Sequence, residues 1–348
     1  MAEQTGIAII GCGMISEFQA KAIGALPDAR VVGFFDTVPE MARRRAAEFG
    51  GRAFATVEEL LADQSVQAVS ICTPSGTHME PSVQAARAGK HVMVEKPIEI
   101  TLDRVDAIIR ACREAGVTLG AIFPRRFQDS SRLVKKAIEE GRFGRILLAA
   151  VYIKWYRSQE YYDQGGWRGT WKMDGGGALM NQGIHGIDLL QWLLGGIREV
   201  WAFTATLGHE RIEVEDTAVA IVRFKNGALG TIRATTSVHP GYPKTIAIHG
   251  DRGSAVIEQD DVLRWDFASE TPEDQATKER FAQKVGASGG SSNPAAISHE
   301  GHRRQLADFV RAIQTKTAPL VDGREGRKAV AVIQAIYESA KTGRTVTL

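Results

Sequence analysis

The stretch His91-Val92-Met93-Val94-Glu95-Lys96-Pro97, an apolar run that stops abruptly on charge, constrains this chain more than any other seven residues. Val92 to Val94 reads as a buried strand, and it ends in a carboxylate, an amine and a proline. A lysine at the end of a buried strand is costly unless something pairs it or uses it. In an open parallel sheet, ligands bind beyond the carboxyl ends of the strands, so such a lysine belongs at a working edge.

The order of elements fits that requirement. Residues 6–123 alternate short apolar runs with helical patterns, with strands expected at 6–10, 31–36, 52–54, 68–72, 92–94 and 118–123. The helices between them fall at 16–26, 39–49, 57–62, 79–88 and 103–115. Strands alternating with helices predict an α/β fold, a Rossmann-type doubly wound parallel sheet. The character changes after Pro124, where longer strands follow at 145–156, 200–207, 217–224, 228–237 and 244–249. Lys225-Asn226-Gly227-Ala228 and Gly250-Asp251-Arg252-Gly253 are turn signals between them. This part predicts an α+β domain with a large, mostly antiparallel open sheet. Helices at 129–140 and 178–194 precede most of it, and helices at 301–315 and 326–342 close the chain. Residues 284–298, with Gly286, Gly289, Gly290 and Pro294, read as a long loop that is mobile or orders on substrate binding. The expected division is 1–123 and 124–348, with the last helices packing back on the first domain.

Bulk properties narrow the function classes. Two domains are the default for 348 residues. Lys and Arg total 43 against 41 for Asp and Glu, a balance that predicts no strong attraction to nucleic acid or membrane. The run Arg43-Arg44-Arg45 lies in a helical pattern and reads as a solvated face. Three cysteines (Cys12, Cys72 and Cys112) without a C-x-x-C pair fit a reduced, cytoplasmic protein. A first strand starting by Gly6 leaves no room for a leader, and no run approaches the ~18 apolar residues of a membrane span.

Three constellations carry chemistry. The first is Gly11-Cys12-Gly13-Met14-Ile15-Ser16, after a strand and opening a helix. Gly11 permits the tight turn, Gly13 lets backbone approach a pyrophosphate, and Ser16 replaces the third glycine with another small residue. Asp36 ends the second strand, where it accepts hydrogen bonds from ribose hydroxyls and repels a 2′-phosphate, so NAD is expected over NADP. The second groups two strand ends on the cofactor side, Thr73-Pro74-Ser75 and Glu95-Lys96-Pro97. Thr73, Pro74 and Ser75 pack on the cofactor, Thr77 or His78 caps the next helix, and His78 joins the expected cofactor-binding set. Glu95 orients Lys96 or meets the cofactor's carboxamide region. Lys96 holds a substrate hydroxyl and eases its deprotonation, and a neighbouring positive nicotinamide would lower its pKa toward that task.

The third runs from Asp174 through Gly175, Gly176 and Gly177 to Asp188. Asn181 and His185 are four apart and share a face in a regular helix, where an amide and an imidazole can grip sugar hydroxyls. His185-x2-Asp188 lacks a third ligand at suitable spacing, so no metal is expected. Trp155, Tyr156, Arg157, Tyr161, Tyr162, Trp167, Arg168 and Trp171 crowd the preceding segment. Aromatic faces stack on sugars and arginines read anions, which makes Tyr156, Trp167 and Arg168 substrate candidates, alongside Arg126 after the last parallel strand. His302 is a weaker candidate. The competing reading of this aromatic segment is a loop packed on the sheet or on a neighbouring subunit.

Taken together, the loop 11–16, the segment 73–78, the run 88–97 with Glu-Lys-Pro, Arg126-Phe127, residues 175–185 and the ending 335–340 resemble the glucose-fructose oxidoreductase/inositol dehydrogenase (Gfo/Idh/MocA) family. The resemblance implies a Rossmann domain followed by a domain built on an open sheet. It also implies NAD or NADP as cofactor, a carbohydrate hydroxyl or ketone as substrate, and a homodimer or homotetramer formed through the sheet. By position it makes Lys96 and His185 the catalytic residues. Where many members carry aspartate this chain has Asn181, which cannot act as acid or base, so an aspartate–histidine relay is not expected. The form Asn-Gln-Gly-Ile-His is similar to that of members acting on nucleotide-linked sugars or uronic acids. Oxidation at C3 of a pyranose is the leading expectation. The alternatives are C3 oxidation followed by elimination of a glycosidic group, a dinucleotide sensor without turnover, and an imine or pyrrole reductase.

Overall fold

Hydrophobic runs bounded by glycine turns set the first unit of the structure, a computed structural model that describes residues 4–164, 166–282 and 300–348. The chain divides into two units. The first comprises Met1–Pro124, Lys172–Gly175 and His299–Val330, and the second Arg125–Trp171, Gly176–Ser298 and Ala331–Leu348.

In the first unit, β1 (Thr5–Ile10), β2 (Ala29–Phe35), β3 (Arg52–Ala53), β4 (Ala68–Ile71), β5 (His91–Val94) and β6 (Leu119–Ala121) form one sheet in the order β3-β2-β1-β4-β5-β6. Its neighbouring strands all pair in parallel. The connecting helices are α1 (Met14–Gly24), α2 (Pro39–Phe49), α3 (Val57–Ala62), α4 (Met79–Arg87) and α5 (Leu102–Glu114). Strands buried along their whole length, such as β1 and β4, read as continuous apolar runs because helices cover both faces. The doubly wound sheet expected from the sequence is present, and its order reverses beside β1, the position at which such sheets bind dinucleotides. Late in the chain, α10 (Glu300–Thr315) packs on α1, and Gln305 bonds β6 through Phe123 N (2.9 Å) and Ala121 O (2.7 Å).

The second unit holds β7 (Ile146–Tyr156), β8 (Ile197–Ala205), β9 (Thr217–Phe224), β10 (Leu229–Thr235), β11 (Ser237–Gly250), β12 (Gly253–Glu258), β13 (Asp261–Phe267) and β14 (Val346–Thr347). They form one sheet in the order β13-β12-β11-β7-β10-β9-β8-β14, with neighbours antiparallel except β7 with β10. Both predicted turns close hairpins, and β11 starts at Ser237, seven residues before the strand expected at Lys244. Its helices are α6 (Asp129–Glu139), α7 (Gln159–Asp163), α8 (Ile184–Leu194) and α9 (Pro272–Ala282), while α11 (Gly323–Thr342) begins in the first unit and ends in the second.

Alternation divides the sheet. Ala149, Val151 and Ile153 of β7 are buried, and α8 rests there: a Cβ on Gly186 would come within 2.8 Å of Val151 and 3.2 Å of Ile153. The opposite face carries Leu148, Phe203, Val219, Ile221 and Leu229, all exposed. No helix among the described residues is long and apolar enough to cross a membrane. The loop expected at 284–298 lies outside the described residues.

Candidate active site

Gly11 lies at φ 94°, and a Cβ there would sit 2.7 Å from the backbone of Cys72 and Thr73. Only glycine lets β1 turn so close to the end of β4. Gly13 is different, because a Cβ there would meet nothing within 4 Å. Gly13 and Met14 are exposed, and the N-terminus of α1 carries no side-chain cap. Open room over unsatisfied helix N–H groups suits a pyrophosphate. Asp36 is half-buried beside it, where it accepts Cys12 N (2.7 Å) and Val38 N (2.8 Å). These two bonds fix its carboxylate, and an ionised carboxylate retains acceptor capacity for ribose hydroxyls. The residues present therefore fit a dinucleotide.

Arg45 departs from the solvated face expected for the arginine run. It is 7% exposed and its guanidinium donates to Gly13 O (3.2 Å) and Glu48 (2.7 Å), so it braces the glycine loop. Burial pushes the Cys12 thiol up to about 12, which leaves it a packing residue within the loop.

The two strand ends meet as the sequence suggested. Thr73 and Pro74 are half-buried and Ser75 is buried. The Lys96–Pro97 bond is cis. Glu95 is buried and accepts Gln19 Nε2 (2.5 Å) and Lys96 N (3.2 Å), and burial raises its pKa. It thus meets Lys96 through the backbone at the turn and through the attraction of the two charges. From Val92 to Ile100 every residue is buried except Lys96. His78, expected among the cofactor-binding residues, requires correction. Its Nδ1 lies 2.9 Å from Pro97 O and its Nε2 2.9 Å from Thr73 O, so both ring nitrogens tie the strand ends together.

In the second unit, the glycine run leads into a π-turn, Ala178–Gly183, before α8. Glu215, 4% exposed, holds that turn by accepting Gly177 N (2.9 Å), Leu179 N (2.8 Å) and Tyr337 Oη (3.0 Å). A Cβ on Gly177 would lie 1.7 Å from Glu215 O, so the turn needs glycine there. Burial pushes the Glu215 carboxyl up to about 7. The wider turn replaces the regular helix expected at 178–183, so four-residue spacing alone does not align Asn181 with His185. The two share partial exposure: from Gly176 to Gln191 every residue is buried except these two.

Arg126, expected to face substrate, is 1% exposed and makes a bidentate ion pair with Asp188, Nε to Oδ2 at 2.9 Å and Nη2 to Oδ1 at 2.6 Å. It anchors α8 three residues past His185 and does not present its charge at the surface. Tyr156, a substrate candidate from the sequence, lies on the second sheet. Alternation puts it on the face of β7 opposite Val151 and Ile153, away from α8, and its ring packs edge-on against His239 at 5.1 Å. Trp167 and Arg168 are half-buried, with the Arg168 guanidinium over the rings of Tyr161 (4.7 Å) and Trp167 (5.2 Å). Tyr161 Oη lies 3.4 Å from Gln182 Nε2, which brings this aromatic group beside the Asn181 turn. His302 is buried in the first unit, its ring 6.3 Å from that of Phe18. Among the described residues no His, Cys, Asp and Glu group could hold a metal. The anchoring roles of Glu215 and Asp188 were not legible in the sequence because their partners lie 36 to 122 residues away.

Residues 5–123 match the oxidoreductase family with an NAD-binding Rossmann fold, and residues 131–256 match the GFO/IDH/MocA C-terminal domain. The chain is 30% identical to 1,5-anhydro-D-fructose reductase of Ensifer adhaerens, over 98% of this chain and 97% of that protein. It is 27% identical to myo-inositol 2-dehydrogenase of Thermotoga maritima, over 98% of each. Among solved structures it resembles the WlbA dehydrogenase of Bordetella pertussis in complex with NADH and UDP-GlcNAcA, with 36% identity, a TM-score of 0.91 and coverage of 100% of this chain and 99% of that one. Matched over both halves by this family, and 30% identical to a member over 98% of its length, the chain belongs to the Gfo/Idh/MocA family of NAD-binding oxidoreductases.

Proposed function

We propose that this chain is an NAD-dependent dehydrogenase of a carbohydrate hydroxyl, on a pyranose or sugar derivative, with Lys96 and His185 handling the hydroxyl proton. One observation carries the assignment of residues. In two otherwise buried runs, 92–100 and 176–191, the positions left open are Lys96, Asn181 and His185, an amine, an amide and an imidazole. The relatives' named compounds, an inositol, an anhydro-sugar and a nucleotide-linked sugar, support a carbohydrate.

The loop from Gly11 to Ile15 would hold the dinucleotide phosphates, Asp36 the ribose, and Thr73 and Pro74 one wall of the cofactor. NAD supplies the hydride acceptor. Lys96 binds the substrate hydroxyl and takes its proton, and a lysine that is half-buried is readily tuned for that task. His185 is the second group able to carry a proton, and Asn181 fixes a hydroxyl by hydrogen bonding without exchanging one. Trp167 and Arg168 offer a stacking face and a charge beside the Asn181 turn.

We also propose a homodimer or homotetramer. Phe203 (64% exposed), Ile221 (54%), Leu229 (52%) and Leu148 (51%) share the uncovered face of the second sheet, and a second copy of the chain would cover them. The cytoplasm is the proposed location, in keeping with three free, buried cysteines.

Incubation with NAD or NADP and a panel of free, glycosidic, acidic and nucleotide-linked sugars tests the assignment, read by NADH fluorescence and product mass. NADH with a product lighter by two hydrogens is expected. Lys96→Met and His185→Gln should each lower kcat by roughly 10²–10⁴-fold while NAD still binds. Turnover unchanged in both variants would overturn these roles. Bond cleavage without NADH would favour oxidation with elimination, and cofactor binding without turnover across the panel would favour a sensor.

A further inference from the structure

The second unit carries a basic cluster that hydride transfer does not use. Lys244 of β11 is 3% exposed, on the face it shares with Ile246 and Ile248. Among the described residues its ammonium has no hydrogen bond or ion pair, and its electrostatic neighbours are Arg125 and Asp260. Arg125, 7% exposed, forms an ion pair with Asp260. Two buried cations therefore face one carboxylate, and that carboxylate is already engaged.

The backbone is built to hold this arrangement. Gln259, a non-glycine residue at φ 53°, donates its N–H to Lys244 O (2.7 Å) and accepts Lys244 N at its side-chain oxygen (3.4 Å). Asp260 follows directly in the same turn. A side chain at positive φ is uncommon and persists where surrounding contacts require it. The strand that carries Lys244, β11, also packs against α8, the helix that carries His185. Lys244 precedes Thr245, which pairs with Tyr152, so it runs alongside the Ile153 end of β7, and Ile153 is where α8 seats Gly186, the residue after His185.

A buried ammonium without a partner is unfavourable, and an arriving anion would offset that cost. Burial and the Arg125 charge push Lys244 down to about 7, against the opposing pull of Asp260. We propose that Lys244 and Arg125 form an anion-binding subsite that receives a carboxylate or phosphoryl group of the substrate, a proposal that rests on the carbohydrate dehydrogenase reading above. The subsite makes this chain a dehydrogenase of acidic or nucleotide-linked sugars in preference to neutral ones. Asp260 competes with the ligand for Arg125 and limits the affinity.

Calorimetry on the full chain loaded with NADH tests this, with glucuronate, UDP and inorganic phosphate as separate probes. Glucuronate binding identifies a carboxylate as the ligand group, and UDP binding a phosphoryl group. Lys244→Met should weaken the responding probe by about 10- to 100-fold, as loss of one charge-assisted hydrogen bond does. Asp260→Asn should strengthen the same probe, and this opposite sign separates loss of a ligand contact from general damage. NADH affinity, read in each variant, reports whether the fold holds. Unchanged affinity in Lys244→Met, no gain in Asp260→Asn, failure of both glucuronate and UDP to bind, or binding of inorganic phosphate alone would each overturn the subsite. NADH formation from any sugar of the panel, by the unaltered chain and by Lys244→Met at saturating substrate, tests the dehydrogenase reading independently of Lys244, so the two can fail separately.

Discussion

Replacing Arg126 by methionine removes the counter-ion of a carboxylate that has no access to water. Asp188 is 0% exposed and Arg126 1%, and two hydrogen bonds of 2.9 and 2.6 Å join them. Breaking one partner of such a pair leaves an uncompensated buried charge, which costs about 3–5 kcal/mol. The guanidinium also stacks over Trp192 at 5.6 Å, and methionine retains part of that packing. For a domain of this size the loss lowers the melting temperature of the second unit by roughly 6–20 °C. Denaturant unfolding followed by far-UV circular dichroism measures it. The companion variant Arg126→Met/Asp188→Leu removes both charges and should recover most of the lost stability, because an apolar pair of similar volume often replaces a buried ion pair at little cost. A single variant destabilised by less than about 1 kcal/mol, or a double variant no more stable than the single, would refute the role given to this pair. Activity supplies a second reading. If Arg126 positions His185 through α8, the double variant regains stability yet keeps a lowered kcat.

Three further outcomes follow from the geometry. Gly13→Ala, at φ −68° with nothing within 4 Å of the new Cβ, should leave the melting temperature of the apo protein unchanged and abolish NAD binding, whereas Gly11→Ala, at φ 94°, should destabilise the fold itself; calorimetry with NAD and thermal melts separate the two. Glu215 has a folded pKa raised from 4.5 to about 7, so its contribution is fully present below pH 4.5 and is lost as pH rises through 7, amounting to roughly 3 kcal/mol. Glu215→Gln should therefore flatten the fall in unfolding free energy between those values, and equal slopes in both proteins would contradict it. Phe203→Glu, on the uncovered sheet face, should shift sedimentation toward the monomer while NADH binding survives, and an unchanged sedimentation coefficient would exclude that face as the contact.

Local rules explain what was legible in the sequence. The glycine loop and the Glu-Lys-Pro strand end are written in contiguous residues, and the alternation of strands and helices before Pro124 leaves one architecture. Long-range contacts explain what was not. Residues 178–183 have the composition of a regular helix but form a π-turn, whose first N–H groups, of Gly177 and Leu179, are capped by Glu215 from far along the chain. Arg126 resembles a substrate arginine until Asp188, 62 residues away, is seen to occupy it. Two signals were present and could have been used. Period-two alternation along β7 assigns Tyr156 and Trp155 to opposite faces, and Lys244 falls in step with Ile246 and Ile248 on the buried side of β11.

The way the first unit is closed bears on how it is made. Its edge strand β6 is completed by residues from far along the chain: Gln305 bonds Phe123 and Ala121, and Val321 O accepts Ala121 N. On the ribosome the nucleotide-binding sheet is thus the first to emerge, yet it is finished only after Gln305 and Val321 have been made. Until about two hundred further residues have been synthesised, β6 presents unpaired backbone groups of the kind that recruit strands from other chains. A fragment ending near Pro124 would keep that open edge permanently and should aggregate, so a shortened cofactor-binding version of this protein needs residues 300–330 grafted back onto it.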